Sequence, residues 1–213
     1  MRKKGLFITF EGGEGSGKTT ACKYIYHRLL AEGYPAIYSR EPGGVDISEQ
    51  IRRVILSVEN TKMDVRTEAL LYAASRRQHL VEVIIPALEA GKIVICDRFI
   101  DSSLAYQGYA RKIGIEEVME INRFAIDECM PDATLYYDCP VEVGLSRISS
   151  REDLDRLDIE SLDFHHRVHE GYKLVCRRYP ERIRTVDASQ PVETVEEISY
   201  RIIKELINAH DQG

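Results

Sequence analysis

The sequence predicts an α/β protein: a doubly wound, five-stranded parallel sheet flanked by helices, with a short lid. Three observations lead there. Five short β-branched or aromatic runs recur along the chain, several of them apolar without a break, as strands buried on both faces are. Stretches of helical period separate them, and strand–helix alternation implies right-handed βαβ units. Turn residues follow every strand, at the edge where ligands gather in such sheets.

The elements follow in order. Leu6-Phe7-Ile8-Thr9-Phe10 is the first strand, and Thr20 to Leu30 suits a helix. Pro35 to Ser39 is the second strand, Lys92 to Asp97 the third, Ala133 to Asp138 the fourth and Ile183 to Val186 a short fifth. Asp64 to Ala90 reads as one long helix with Leu70, Leu71, Ala74, Leu80, Val81, Ile84, Ile85 and Leu88 at near-helical spacing. Pro86 bends or ends it and Gly91 closes it. The last helix carries the stripe Val192, Val195, Ile198, Ile202, Leu206. With 213 residues, no repeat and no linker, 1–213 reads as one domain, with the lid at about 149–157.

A net charge of −6 argues against a nucleic-acid polymer or an anionic membrane as the main partner. Cys22, Cys96, Cys129, Cys139 and Cys176 form no close pair, so reduced thiols and a cytoplasmic location are expected. The apolar run after Met1-Arg2-Lys3-Lys4-Gly5 is too short for a signal peptide, and no stretch reaches transmembrane length.

Gly12-Gly13-Glu14-Gly15-Ser16-Gly17-Lys18-Thr19 fits G-x-x-x-x-G-K-[ST] between a strand and a helix, the context that makes it a phosphate-binding loop. Backbone N–H groups and the helix N-terminus favour anions there, with Thr20 in the first helical turn. Lys18 reaches the β- and γ-phosphates, and Thr19 holds Mg²⁺. Glu14 is a carboxylate inside a loop built for anions. Asp97-Arg98 ends the third strand, where an acid can orient Mg²⁺ waters and the arginine can face the transferred phosphate. Arg40, Arg52 and Arg76 come from separate segments. Arg76 lies one helical turn after Tyr72, so ring and guanidinium share a face and could clamp a base and a phosphate. Ser149 to Leu157 (SSREDLDRL) is dense in charge. It reads either as an exposed loop or as a mobile lid bringing Arg151, with Arg156 a second candidate, over the phosphates. His165, His166 and His169 read as surface histidines rather than a metal site, since no second cluster supplies ligands.

These segments together resemble bacterial thymidylate kinases along nearly the whole chain. The likeness is carried by Phe7 to Gly12 with its loop, Arg40-Glu41-Pro42-Gly43-Gly44, Thr67 to Arg76, Asp97 to Gly108, the lid and Asp187 to Pro191. The resemblance implies a P-loop NTPase type of fold, ATP and dTMP as substrates with Mg²⁺, and a homodimer. It implies that Glu14 accepts a hydrogen bond from the 3′-hydroxyl of dTMP, that Arg76 and Gln107 face thymine with Ser103 close by, and that Tyr72 stacks on it. Tyr106 would crowd the 2′ position. Arg40, Arg52 and Arg98 would line the acceptor side with Glu41, while Arg147 lies along adenine near Gln190. Lys18, Arg98 and Arg151 would be catalytic. Two positions depart from the pattern: Tyr72 stands where relatives usually have Phe, and Phe99 where they have Tyr. Another nucleoside monophosphate kinase is the alternative. A P-loop switch fits less well, for the chain has neither N-K-x-D nor the D-x-x-G switch.

Overall fold

The computed structural model describes residues 5–149 and 154–212. Five strands, β1 (Leu6–Gly12), β2 (Ala36–Arg40), β3 (Ile93–Asp97), β4 (Ala133–Asp138) and β5 (Ile183–Asp187), form one parallel sheet in the order β2-β3-β1-β4-β5. Alternate residues feed two cores. Phe7, Val94, Cys96 and Tyr136 enter one, and Ile8, Phe10, Ile95, Leu135 and Tyr137 the other. A run apolar at every position thus serves both faces of a covered sheet.

The helices are α1 (Lys18–Ala31), α2 (Asp46–Leu56), α3 (Val65–His79), α4 (Ile85–Glu89), α5 (Ile100–Ser103), α6 (Ile115–Ile126), α7 (Val141–Ile148), α8 (Leu162–Arg178) and α9 (Val192–Asp211). Two π-helical turns, Leu80–Ile84 and Leu104–Ala110, continue α3 and α5. The first answers the proline. Pro86 has no N–H and its ring crowds the carbonyl one turn back, so the wider turn just before it carries the chain on into α4 rather than ending the helix. Asp64 Oδ1 caps α3 by accepting from the backbone of Arg66 and Thr67.

The buried face of α9 is Val195, Ser199, Ile203 and Ile207, one residue round from the expected stripe, and Val192 is exposed. The polar seam residue is satisfied: Ser199 donates to Val195 O and shares a 2.7 Å bond with the Tyr137 hydroxyl. No described helix is long and apolar enough to cross a membrane.

β1 sits at the sheet's centre, between β3 and β4, so its C-terminal loop is flanked by the exits of both. The register pairs Phe10 with Asp97 and Gly12 with Tyr137, which sets Asp97-Arg98 beside the Gly-rich loop.

Candidate active site

The loop after β1 turns back through Gly15 and Gly17, both in the left-handed region at φ 66° and 83°. A Cβ on Gly15 would lie 1.9 Å from the Gly144 carbonyl, so only glycine lets the loop rest against α7. Gly17 caps α1, which begins at Lys18. The Lys18 ammonium is buried and donates to Gly13 O at 3.3 Å. Burial, and then Arg98, push its pKa down, with Glu14 and Asp97 partly offsetting them. The Ser16 hydroxyl oxygen is buried with no protein partner among the described residues, an open polar atom inside a loop shaped for anions.

Arg98 has a non-glycine left-handed backbone at φ 69°, a conformation that costs about 1–3 kcal/mol and persists only where its surroundings impose it. They do. Its N–H donates to Phe10 O, and Nη1 reaches Gly12 O at 3.0 Å, Tyr172 OH at 3.1 Å and Ser102 Oγ at 3.2 Å. Nη2 donates to Glu14 Oε1 at 2.6 Å, where Tyr106 OH also donates at 2.8 Å. Burial alone would raise the Glu14 carboxyl, but Arg98, Lys18 and the Tyr106 hydroxyl outweigh it and hold it at about 2. Its second oxygen takes no donor among the described residues and is open to a ligand hydroxyl.

Beneath Arg98 lies Glu11, which the sequence reading passed over. Its carboxylate accepts from Phe99 N at 2.7 Å, Ser102 Oγ at 2.5 Å and Tyr172 OH at 2.9 Å. Burial first, then Asp101, raise its pKa to about 7 against these hydrogen bonds and Arg98. The folded protein keeps this proton up to about pH 7, whereas the unfolded chain releases it near the ordinary 4.5. Stability from this group is therefore complete below about 4.5 and is lost as pH rises through about 7. The wild-type melting temperature should fall across that window, and Glu11→Gln should flatten the fall in a melting series from pH 4.5 to 8. Equal slopes would remove Glu11 as the cause.

One cleft of about 440 Å³ gathers most of the expected site. Lys18, Thr19, Asp97 and Arg98 line its phosphate end, and Arg40, Glu41 and Arg52 the side wall. Tyr72, Ser103, Tyr106 and Gln107 line the far end with Leu56 and Leu157. Arg40 is tied to Glu49 at 2.6 Å, while Arg52 pairs with no carboxylate among the described residues and donates to Pro42 O. Thr19 Oγ1 donates to Asp97 Oδ2 at 2.5 Å. A hydroxyl and a carboxylate, hard oxygen donors beside the phosphate loop, fit Mg²⁺, which takes one or two protein oxygens plus phosphates and water. A smaller cavity of about 250 Å³ lies on the other side of the loop, lined by Thr20, Arg147, Ile148, Ala188 and Gln190. Arg147 Nη1 reaches Gly15 O at 3.3 Å and Ala188 O at 3.2 Å, bridging the loop to the β5 exit.

Several placements correct the reading from spacing. Arg76 is 1% exposed and does not grip a phosphate. It is spent on Glu41 at 2.8 Å, Asn122, Phe99 O at 3.0 Å and Ser103 Oγ at 3.1 Å, beneath the cleft rather than among its lining residues. Arg156 turns inward to Glu68 Oε2 at 2.5 Å and Ile55 O at 2.8 Å, away from the phosphates. Arg151 lies outside the described residues. His165 is buried rather than on the surface, and His169 pairs with Asp138 at 2.6 Å. No group of three or more metal-ligating side chains occurs among the described residues. Phe99 fills its position by packing edge-on against Phe7 at 5.0 Å, and the Tyr72 hydroxyl finds no hydrogen-bond partner among the described residues.

Comparison with known proteins agrees with this geometry. The thymidylate kinase family model matches residues 10–198. A thymidylate kinase of Oceanobacillus iheyensis is 55% identical over 211 residues, covering 98% of this chain and 94% of its own. One from Clostridium novyi is 62% identical over 194 residues, 90% of this chain and 95% of its own. The crystal structure of the Ehrlichia chaffeensis thymidylate kinase superposes with a TM-score of 0.76 at 31% identity, covering 94% of this chain and 98% of that one. On a family match spanning most of its length, near-full-length relatives and a shared fold, the chain belongs to the thymidylate kinase family.

Proposed function

We propose that this chain transfers the γ-phosphoryl group of ATP to dTMP, giving dTDP and ADP for dTTP synthesis. The observation that carries it is the cleft itself. Lys18 and Arg98 stand at one end, an aromatic and amide-lined pocket closes the other, and Glu14 lies between with one oxygen open. A phosphate at the cationic end leaves the base among Tyr72, Ser103 and Gln107, and the sugar beside Glu14 and Tyr106. The donor nucleotide enters from the other side of the loop, with adenine near Arg147 and Gln190.

The acceptor is a phosphate whose second pKa is about 6, so it needs no general base near neutral pH. The obstacle is charge. Two unit charges about 4 Å apart repel by about 4 kcal/mol at an effective dielectric of 20. Lys18 and Arg98 offset that repulsion and hold the two oxygens in line. Thr19 and Asp97 would hold Mg²⁺, which would supply further charge neutralisation on the phosphates. Arg151 completes the set. Arg151→Ala should lower kcat far more than it raises the KM for dTMP, because the guanidinium acts on charge that develops in transfer. An unchanged kcat overturns the assignment. Coupled ADP release assayed across dTMP, dUMP, dCMP, AMP and GMP tests the substrate. Preference for a purine monophosphate, or no transfer to dTMP, overturns the reading.

We place the enzyme in the cytoplasm, where its cysteine thiols stay reduced. We further propose a homodimer. Phe124 on α6 is 93% exposed, and Leu70 on α3 is 55% exposed on a helix packed against α6. Apolar groups this large and this open suit a covering partner of the same chain. Light scattering should give twice the chain mass, and Phe124→Asp should shift it toward one chain; a single-chain mass for the wild type rules the dimer out.

A further inference from the structure

Behind the far end of the cleft lies a buried acid. Glu68, on α3, is 1% exposed and is absent from the cleft lining. Its carboxylate accepts from Arg156 Nη2 at 2.5 Å, from Gln107 Nε2 at 2.7 Å and from Arg111 Nε at 3.3 Å. Flanked by two guanidinium groups, it offers acceptor atoms only. The nitrogen of the Gln107 amide, not its oxygen, must therefore face Glu68. Gln107 Oε1 takes no donor among the described residues, and its side chain lines the cleft. Four residues earlier in the same helical stretch, Ser103 Oγ accepts from Arg76 at 3.1 Å, so its proton is left to donate. The far end thus presents an acceptor beside a donor.

We propose that Glu68 is a positioning residue that sets base specificity: by holding the Gln107 amide nitrogen, it turns the amide oxygen into the cleft, where the acceptor base must offer a ring N–H. The proposal rests on the reading of the acceptor as a pyrimidine monophosphate. Thymine and uracil carry N3–H beside the O4 carbonyl, which matches an acceptor beside a donor. Cytosine has the reverse pattern, a lone pair at N3 beside an amino group, and its N3 would meet the Gln107 oxygen lone pair to lone pair. A free glutamine could rotate its amide by half a turn and accept either ring. Glu68 removes that freedom, because rotation would set the amide oxygen against a carboxylate in a buried site. Sequence alone gives no sign of this, since Glu68 and Gln107 are 39 residues apart.

The test compares kcat/KM for dTMP and 5-methyl-dCMP, which differ only at this edge, in the wild type, Glu68→Gln, Gln107→Glu and the double variant. The ratio of the two values is independent of how much of the protein is folded. A purely structural role, through Arg156 or Arg111, would lower both together. Glu68→Gln, whose amide can donate to Gln107 and release it to rotate, should cut the preference for dTMP ~100-fold or more, out of the 10⁴–10⁵ that a built hydrogen bond can supply. The change should appear in KM more than in kcat. In the double variant, the amide now at position 68 donates to the carboxylate now at position 107. The second oxygen of that carboxylate again faces the cleft, and most of the preference should return. An unchanged ratio in Glu68→Gln, or no recovery in the double variant, overturns the proposal. Absence of dTMP turnover in the wild type would instead sink the functional reading. If Glu68→Gln does not fold, the unaltered enzyme still decides. The ¹⁵N-labelled Gln107 side-chain amide, identified by its loss in Gln107→Glu, should exchange its protons with water far more slowly than that of exposed Gln50, with the cleft empty. Exchange as fast as Gln50 means that the nitrogen faces the cleft, and the proposal fails.

Discussion

Arg98→Ala should lower kcat/KM for dTMP by ~10³–10⁵, the range a transition-state arginine supplies in phosphoryl transfer. Its guanidinium touches the phosphate loop at Gly12 O, the acid Glu14 and the Ser102–Tyr172 hydroxyls at once. Its left-handed backbone is held in place by those same contacts, so the guanidinium is preset rather than recruited. Arg98→Lys should rescue little. A lysine carries the charge, but a single ammonium cannot fork between Glu14 and the Gly12 carbonyl. Glu14 would lose its main counter-charge, so KM should rise as well, while Tyr106 still donates to it. Steady-state kinetics of the three proteins decide the matter, and a lysine variant within about tenfold of wild type would show that charge alone suffices.

Lys18→Ala should abolish turnover and leave the fold standing. The lysine is 6% exposed, yet its one hydrogen bond among the described residues is a 3.3 Å contact to Gly13 O. Burial and the neighbouring Arg98 both work against its charge, so the resting protein gains little from it. Its removal should leave the melting temperature unchanged or slightly raised, the usual relation between a strained functional charge and stability. A melting curve beside an ADP-release assay separates the two effects. Retained activity would refute the phosphate-loop reading, and a large loss of stability would show that the lysine also holds the loop.

Much of the fold is legible because it rests on local chemistry. Leu6 to Phe10 and Lys92 to Asp97 read as strands since nearly every position is apolar enough to face a core. Gly15, Gly17, Lys18 and Thr19 announce their geometry by residue type. What stayed hidden depends on partners far away in the chain. Arg76 looked like a phosphate grip beside Tyr72, but Glu41, 35 residues earlier, and Asn122, 46 later, claim it. Arg156 looked like a lid charge until Glu68, 88 residues away, drew it inward. The π-helical turn at Leu80–Ile84 was illegible for another reason: apolar spacing near a proline suits a bent helix and a widened one equally well. Ser199 shifted the stripe of α9 because the Tyr137 hydroxyl makes a serine acceptable in the seam.

The clasp between Glu14 and Arg98 has a consequence for what the empty cleft admits. A bare anion approaching Arg98 finds that cation already shared and a negative charge 2.6 Å from it. A nucleotide differs, because it brings a sugar hydroxyl to the open oxygen of Glu14 along with its phosphate. Acid and arginine together act as a coincidence detector: neither the phosphate nor the hydroxyl alone meets a wholly attractive site, and one molecule carrying both at the right spacing does.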